Sequence, residues 1–324
     1  MNRLSALPLT ALALCVGLAH AQVSSYPNRP IRMVVGFPPG GGTDVVARII
    51  APKLAEHLGQ PVLIENRPGA TGTVAAGIVA RSPADGYTLM MGHVSVNAIA
   101  PSLFPTLSYD VIKDFAPITL TASVPHFIVV HPSLPVHSVQ ELIAYAKAHP
   151  GELSFPSAGN GSTPHLAGEM FKAMAGINLV HVPYKGTGQS MQDLLAGQHQ
   201  VAFDTLPASA PYVRAGRLRV LAVSGAKRLA DFPDVPTVEE AGVPGYRITT
   251  WYGAFAPGGT PPEIVNRLYA DITNALQAPD TRAKLAEIGV DDTVTRSPEE
   301  FAAIVRADTV RYAKVVKDAG LKID

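Results

Sequence analysis

The sequence predicts an α/β fold of two domains with a helical C-terminal third, and three observations carry that prediction. The chain has 324 residues, where about 100–200 residues make one domain. It is 47% hydrophobic and 16% charged, too apolar for a disordered chain and long enough to bury a large core. Short β-rich runs alternate with helical patterns at the spacing of parallel α/β units.

Taken in order, the chain opens on Arg3, an apolar run Leu4 to Leu18 and the small-x-small site Ala19-His20-Ala21. This reads as a secretory signal peptide, 1–21, cleaved after Ala21. The apolar run is shorter than the ~20 residues that span a bilayer. A lipoprotein modified at Cys15 is the alternative, but Leu14 stands where a small residue is wanted. Cleavage removes Cys15, the one Cys of the chain, so disulfides and multi-Cys metal sites drop out. It also removes Arg3, so that 25 of the 26 basic residues face 26 acidic ones. A nearly neutral exported protein offers no field for nucleic acid.

Ile31–Val35 then reads as a strand, Thr43–Leu58 as a helix, Gln60–Asn66 as a strand, Thr71–Ala80 as helical and Tyr87–Met91 as a strand. Further strands are expected at Phe127–His131, Leu179–Tyr184, Gln200–Asp204, Leu218–Ser224 and Ile248–Ala256. Helices are expected at Val139–Ala148, Pro164–Ala175 and Thr187–Leu195. Pro262–Leu276, Thr281–Ile288 and Pro298–Asp318 complete the helical third, entered through Pro, Asp or Ser-Pro signals. Two β-prone stretches, Ile118–Val130 and Ile248–Ala256, are placed to cross between domains. If both cross, 22–123 and 247–324 form one domain and 124–246 the other.

Two glycine-rich loops join a strand to a helix. The first runs Gly36-Phe37-Pro38-Pro39-Gly40-Gly41-Gly42-Thr43-Asp44. Consecutive glycines admit close backbone approach, Thr43 is placed to cap the helix, and the free amides of a helix start attract anions. Gly36 and Gly41 have P-loop spacing, but Gly42 stands where the phosphate-binding Lys is needed, and no Gly-x-Gly-x-x-Gly follows the strand. The second loop runs Ser157-Ala158-Gly159-Asn160-Gly161-Ser162-Thr163-Pro164-His165, with Thr163 as the cap and Pro164 at the first helical position. Two such loops facing each other across a cleft would grip a carboxylate and draw the domains together; a pair of unrelated structural turns is the plainer alternative. Tyr184 and Asp204 end strands, Asp204 suited either to a ligand donor or to capping the turn before Pro207. Tyr184 reads as a cleft residue, Lys185 as a solvated charge, and Trp251 as core or cleft wall. His93, Ser95 and Asn97 read as polar cleft residues or capping groups.

Enzyme motifs are missing from the sequence. It has no Gly-x-Ser-x-Gly elbow, no Cys after processing, and no zinc-protease spacing among His126, His131 and His137. Metal and cofactor sites are therefore not expected. A secreted enzyme acting on a small acid, with Asp204 or His165 as general base, remains the competing reading.

Several motifs in order carry a family resemblance. Tyr26-Pro27-Asn28-Arg29-Pro30-Ile31, the Gly36–Asp44 loop, Glu65-Asn66-Arg67-Pro68-Gly69-Ala70, Ala84-Asp85-Gly86-Tyr87-Thr88-Leu89, the Ser157–His165 loop, Val182-Pro183-Tyr184-Lys185-Gly186 and Asp234-Val235-Pro236-Thr237 together resemble the Bug family. These are the extracytoplasmic solute receptors of tripartite tricarboxylate transporters. The resemblance implies a Gram-negative periplasmic receptor of the two-lobed type II binding-protein kind, with a central cleft closing on a small carboxylate partly through ordered water. It points to Gly40, Gly41, Gly42 and Thr43 on one lobe and to Ser157, Ala158, Gly159, Gly161 and Ser162 on the other. It sets Asp204 at the distal part of the ligand, where an acid favours an amino, amide or hydroxyl donor over a second carboxylate. Phe37 and His93 fall at variable wall positions, and Ser95, His165 and Tyr184 complete the expected site. The implied ligand is a mono- or dicarboxylate, an amino acid or an aromatic acid. The implied partners are the membrane components of a tripartite transporter, met by a monomeric receptor.

Overall fold

The computed structural model describes residues 26–104, 106–290, 295–318 and 320–321. The expected signal peptide and Cys15 lie outside the described residues. The first β–α–β unit is β1 (Ile31–Val35), α1 (Gly42–Leu58) and β2 (Val62–Asn66), followed by α2 (Thr73–Ala80) and β3 (Thr88–His93). A π-turn at Ser95–Ile99 leads into the short α3 (Ala100–Leu103) and then the 16-residue β4 (Phe115–Val130). Next come α4 (Val139–Ala148), β5 (Ser154–Ser157), α5 (Thr163–Ala175), β6 (Val180–Pro183), α6 (Thr187–Leu195) and β7 (Val201–Thr205). The remainder is α7 (Leu206–Arg214), β8 (Arg219–Val223), β9 (Thr249–Pro257), α8 (Pro262–Gln277), α9 (Pro279–Glu287) and α10 (Pro298–Asp318).

Alternation along each strand sorts its side chains onto two faces. In β1, Ile31, Met33 and Val35 face the core built with α1 and α8, whose Val46, Ile50, Leu54, Leu268 and Ile272 cover them. Val34 points the other way, into a core closed by α2 and α10 through Val79, Phe301 and Tyr312. β9 repeats the pattern, with Tyr252, Ala254 and Ala256 on one face and Trp251 and Phe255 on the other. Trp251 is therefore a core residue, its indole Nε1 donating to Asp308 Oδ2 at 2.7 Å. Gly253, on the same face as Trp251 and Phe255, is sterically required. A Cβ on Gly253 would lie 2.1 Å from the Phe301 ring.

The expected parallel sheets are found only in part. β1 pairs in parallel with β2 and β3, and β5 with β6. β9 runs antiparallel to β3 and β4, and β4 antiparallel to β7 and β8, giving one sheet in the order β2-β1-β3-β9-β4-β7. Parallel neighbours need a crossover of a dozen or more residues, usually helical, in the same sheet. β9 instead lies antiparallel between β3 and β4, its Tyr252–Phe255 segment paired with both, whereas β4 takes its partners one after the other along its length. β4 pairs with β9 as far as Pro125, with β7 from His126 and with β8 from Phe127.

α7 has no counterpart in the sequence reading, which places a turn before Pro207. Pro207 sits in the first helical turn, where no amide hydrogen is needed, and Pro211 is tolerated at the cost of one bond.

Candidate ligand-binding site

The first glycine loop is held from below by a charged clasp. Asp44, buried in the first turn of α1, accepts the Gly40 amide at 2.9 Å, the Asn66 Nδ2 at 2.9 Å and the Arg48 Nε at 2.9 Å. Asn66 also donates to the Phe37 carbonyl at 3.0 Å and accepts from Arg48 Nη2 at 3.1 Å. Burial works to raise the Asp44 pKa, but the bonds from Arg48, Gly40 and Asn66 outweigh it and hold the carboxyl below its ordinary value. Gly40 lies at φ +81°, a left-handed conformation that glycine adopts without strain. The N-cap is Gly41, not Thr43, which sits inside the helix. No side chain caps the start of α1. Its first-turn amides therefore have no partner within the helix.

The second loop is built differently from the sequence reading. Ser162, not Thr163, is the N-cap of α5, and its hydroxyl donates to the Gly159 carbonyl at 2.6 Å. The Gly159 and Gly161 amides are spent within the loop, on Ser157 Oγ at 3.2 Å and His165 Nδ1 at 3.1 Å. Ser157 Oγ also pairs with His181 Nε2 at 2.7 Å, and the His181 ring stacks on His165 at 4.0 Å. Tyr184 OH donates to Asp193 at 2.6 Å and meets His199 at 2.8 Å. These residues shape the loop from behind.

Between the two loops lies a cavity of about 660 Å³. Of the expected site, Phe37, Gly40, Gly41, Gly42, Thr43, His93, Ala158, Ser162 and Asp204 line it, as does Lys185. Ser157, Gly159, Gly161, His165 and Tyr184 do not line it, because their polar groups are turned to the supporting bonds just described; Ser95 does not line it either, and its buried hydroxyl has no partner among the described residues. Ser95 and Asn97 position His93: the Ser95 amide donates to His93 Nδ1 at 3.0 Å, and Asn97 Oδ1 accepts the His93 amide at 3.1 Å. With Nδ1 accepting, the ring hydrogen is assigned to Nε2. The imidazole lies between Phe37, at 4.9 Å, and Tyr252, at 5.3 Å. Burial, helped by His126, pushes the His93 pKa down to about 3, so the ring is neutral.

Asp204, at the end of β7, is 6% exposed, and burial pushes its carboxyl up to about 6. It accepts the Thr205 amide at 2.7 Å. Tyr252 was missed in the sequence, although it follows Trp251 in the returning strand. A Cβ on Gly42 would lie 2.4 Å from the Tyr252 hydroxyl. Burial pushes that hydroxyl's pKa up, and the charge of Asp204 adds to the shift. Behind the second loop, Thr163 Oγ1 bonds Thr250 Oγ1 at 2.6 Å, and Thr250 bonds His126 Nε2 at 2.8 Å. This chain of hydroxyls ties α5 to β9 and β4. At one edge, Thr71 Oγ1 donates to the Asn160 carbonyl at 2.9 Å, joining the Asn66-side turn to the second loop.

The model of the tripartite tricarboxylate transporter family receptor matches residues 46–321. The chain belongs to this receptor family. It is 37% identical to protein BugT of Bordetella pertussis over 324 residues, which is all of this chain and 99% of that one. An R. palustris protein solved with adipate superposes with a TM-score of 0.87 at 42% identity, over 92% of this chain and all of the other. MatC of Rhodopseudomonas palustris, solved with malate, gives a TM-score of 0.83 at 36% identity over 90% of this chain and all of the other. The fold is thus that of the two-lobed periplasmic receptors, and the chain is a solute-binding receptor rather than an enzyme. No helix among the described residues is long and apolar enough to cross a membrane.

Proposed function

We propose that this receptor captures a small carboxylate between its two glycine-rich loops and delivers it to the membrane components of a tripartite tricarboxylate-type transporter. The observation that carries the reading is the convergence on one cavity of two strand–loop–helix starts, both without side-chain caps. The adipate and malate bound by two relatives support the carboxylate class. The receptor is a monomer exported to the periplasm with loss of residues 1–21. Its lobes are 22–123 with 247–324 and 124–246, closing about β4 and β9. The change of β4 partners between Pro125 and His126 supports that division.

A thermal-shift screen of mono- and dicarboxylates, amino acids and aromatic acids tests the reading, since a ligand that binds the folded state raises Tm by mass action. At least one acid is expected to do so. Gly41→Leu should fold normally, because a Cβ there meets only the Pro38 carbonyl, at 3.4 Å, and should abolish the shift. A panel without any shift overturns the carboxylate reading, and consumption of the shifting acid overturns the receptor reading.

A further inference from the structure

The cavity chemistry narrows the solute further than its carboxylate. Among the described lining residues the formal charges are those of Lys185 and Asp204, and no arginine is present. Lys185 is exposed, whereas Asp204 is buried. The carboxyl of Asp204 is half satisfied: the amide and hydroxyl of Thr205 both reach Oδ1, and no described residue donates to Oδ2. A buried acceptor facing a cavity calls for a donor from the occupant. A second carboxylate on the solute would meet this acid and find no guanidinium to pair with.

The rest of the wall is mixed, with Thr187, Gln189 and Gln192 among its polar members and a larger apolar share. Val46, Met191, Pro211, Tyr212, Ile288 and Val290 contribute to that share, from both halves of the chain. The 660 Å³ volume is room for about twenty waters at ~30 Å³ each, and a four-carbon diacid would leave more than half of it as wet space against apolar side chains. A ring-bearing body fills that space and removes its lining from water.

We propose that the solute is a monocarboxylate with a bulky, ring-bearing apolar body and one amino or hydroxyl donor that binds Asp204, and that dicarboxylates are poor ligands. This rests on the carboxylate-receptor reading above and adds the class of acid. The donor also sets a proton balance. A ligand that donates to Asp204 stabilises its ionised form, so binding near pH 6 releases a proton; a diacid pressed against the same group binds with proton uptake. The buried histidines and Tyr252 around the cavity stay neutral there. His93 and, on β4, His126 are pushed down by burial to about 3, and His165 on α5 to about 4. Tyr252 is pushed up, and Lys185 stays at the exposed rim.

The experiment is calorimetry at pH 6 in two buffers of different ionisation heat. The probes are 4-hydroxybenzoate and L-phenylalanine, their donor-free counterparts benzoate and 3-phenylpropanoate, and the diacids succinate and adipate. At least one donor-bearing acid should bind tenfold or more tighter than its counterpart and than either diacid, with proton release. Asp204→Asn keeps an acceptor for Thr205 and should reduce that preference several-fold, and Asp204→Ala should bring it below threefold. Both variants should keep the wild-type circular dichroism. A diacid as the tightest ligand, or a preference unchanged in Asp204→Ala, overturns this proposal and leaves the receptor reading standing. Silence from all six acids counts against both, and a shift by some other carboxylate in the broad screen would then restore only the receptor reading.

Discussion

Replacing Asp44 by Asn changes one atom's chemistry and reverses its fit. Each group that Asp44 engages is a donor: the Gly40 amide, the Asn66 amide and the Arg48 guanidinium. Asn brings a carbonyl for one side of this set and an NH₂ that opposes the other, so one or two charge-assisted bonds are lost. At about 1.5–3 kcal/mol for each bond to a charged group, and with the share of Arg48 discounted because its side chain is 51% exposed, the cost is about 3 kcal/mol. At roughly 2–4 °C per kcal/mol for a chain of this size class, Asp44→Asn should lower Tm by about 6–12 °C. The effect reaches binding too, because the same carboxylate holds Gly40 and, through Asn66, the Phe37 carbonyl. Losing about 1.4 kcal/mol of that preorganisation weakens affinity tenfold. Scanning calorimetry and titration with a solute found in the screen read both numbers. An Asp44→Asn protein within one degree of wild type and with unchanged Kd would refute the clasp.

Gly253→Ala drives a methyl into the Phe301 ring, whose nearest atom is 2.1 Å from the ideal Cβ; overpacking of this kind costs about 1–3 kcal/mol, and an unchanged urea midpoint would contradict it. Acid should destabilise the fold: His93 and His126 are held near 3 by burial, below the unfolded value of about 6.5, so the unfolded state takes up protons first and stability falls as pH drops from 6.5 toward 3, by about 2 kcal/mol for each ring at pH 5. His165 and His181 act in the same direction, while Asp204, raised to about 6, returns part of the loss below pH 6. Urea titrations at pH 7 and 5 check the sum, and equal stability at both would sink it. Thr71→Ala removes the donor to Asn160 and should speed solute release about two- to fivefold, the equivalent of about 0.5–1 kcal/mol for a neutral bond; stopped-flow dissociation with an unaltered rate would remove this contact from closure.

Much of the fold was legible because its signals are local. The helices at Val139–Ala148, Thr187–Leu195 and Pro298–Asp318 match the sequence reading residue for residue, being set by 3.6-residue periodicity and by starts such as Ser138, which accepts the Glu141 amide. Strand direction was not legible, since the apolar runs of β4 and β9 look alike whichever neighbour they meet. The cavity followed a similar division. Glycines in order announced both loops, and Asp204 at a strand end was readable as a cleft residue. The contacts that turn Ser157, His165 and Tyr184 away from the cavity come from His181, the Gly161 amide, Asp193 and His199, most of them made only once β5, β6 and α6 are assembled. Tyr252 carried no sequence signal, because its role depends on a glycine 210 positions earlier in the chain having no side chain.

The scarcity of cations around the cavity has a consequence for the conditions in which the receptor works. Attraction between exposed charges fades over a Debye length of about 10 Å in 0.1 M salt and 3 Å in 1 M, so a guanidinium-lined cleft would lose its grip as the medium grew saltier. Backbone dipoles at the starts of α1 and α5 act at contact distance, where screening counts for less. Solute retention through such dipoles is expected to vary little with ionic strength, and titrating a solute found in the screen in dilute and in saline buffer checks it.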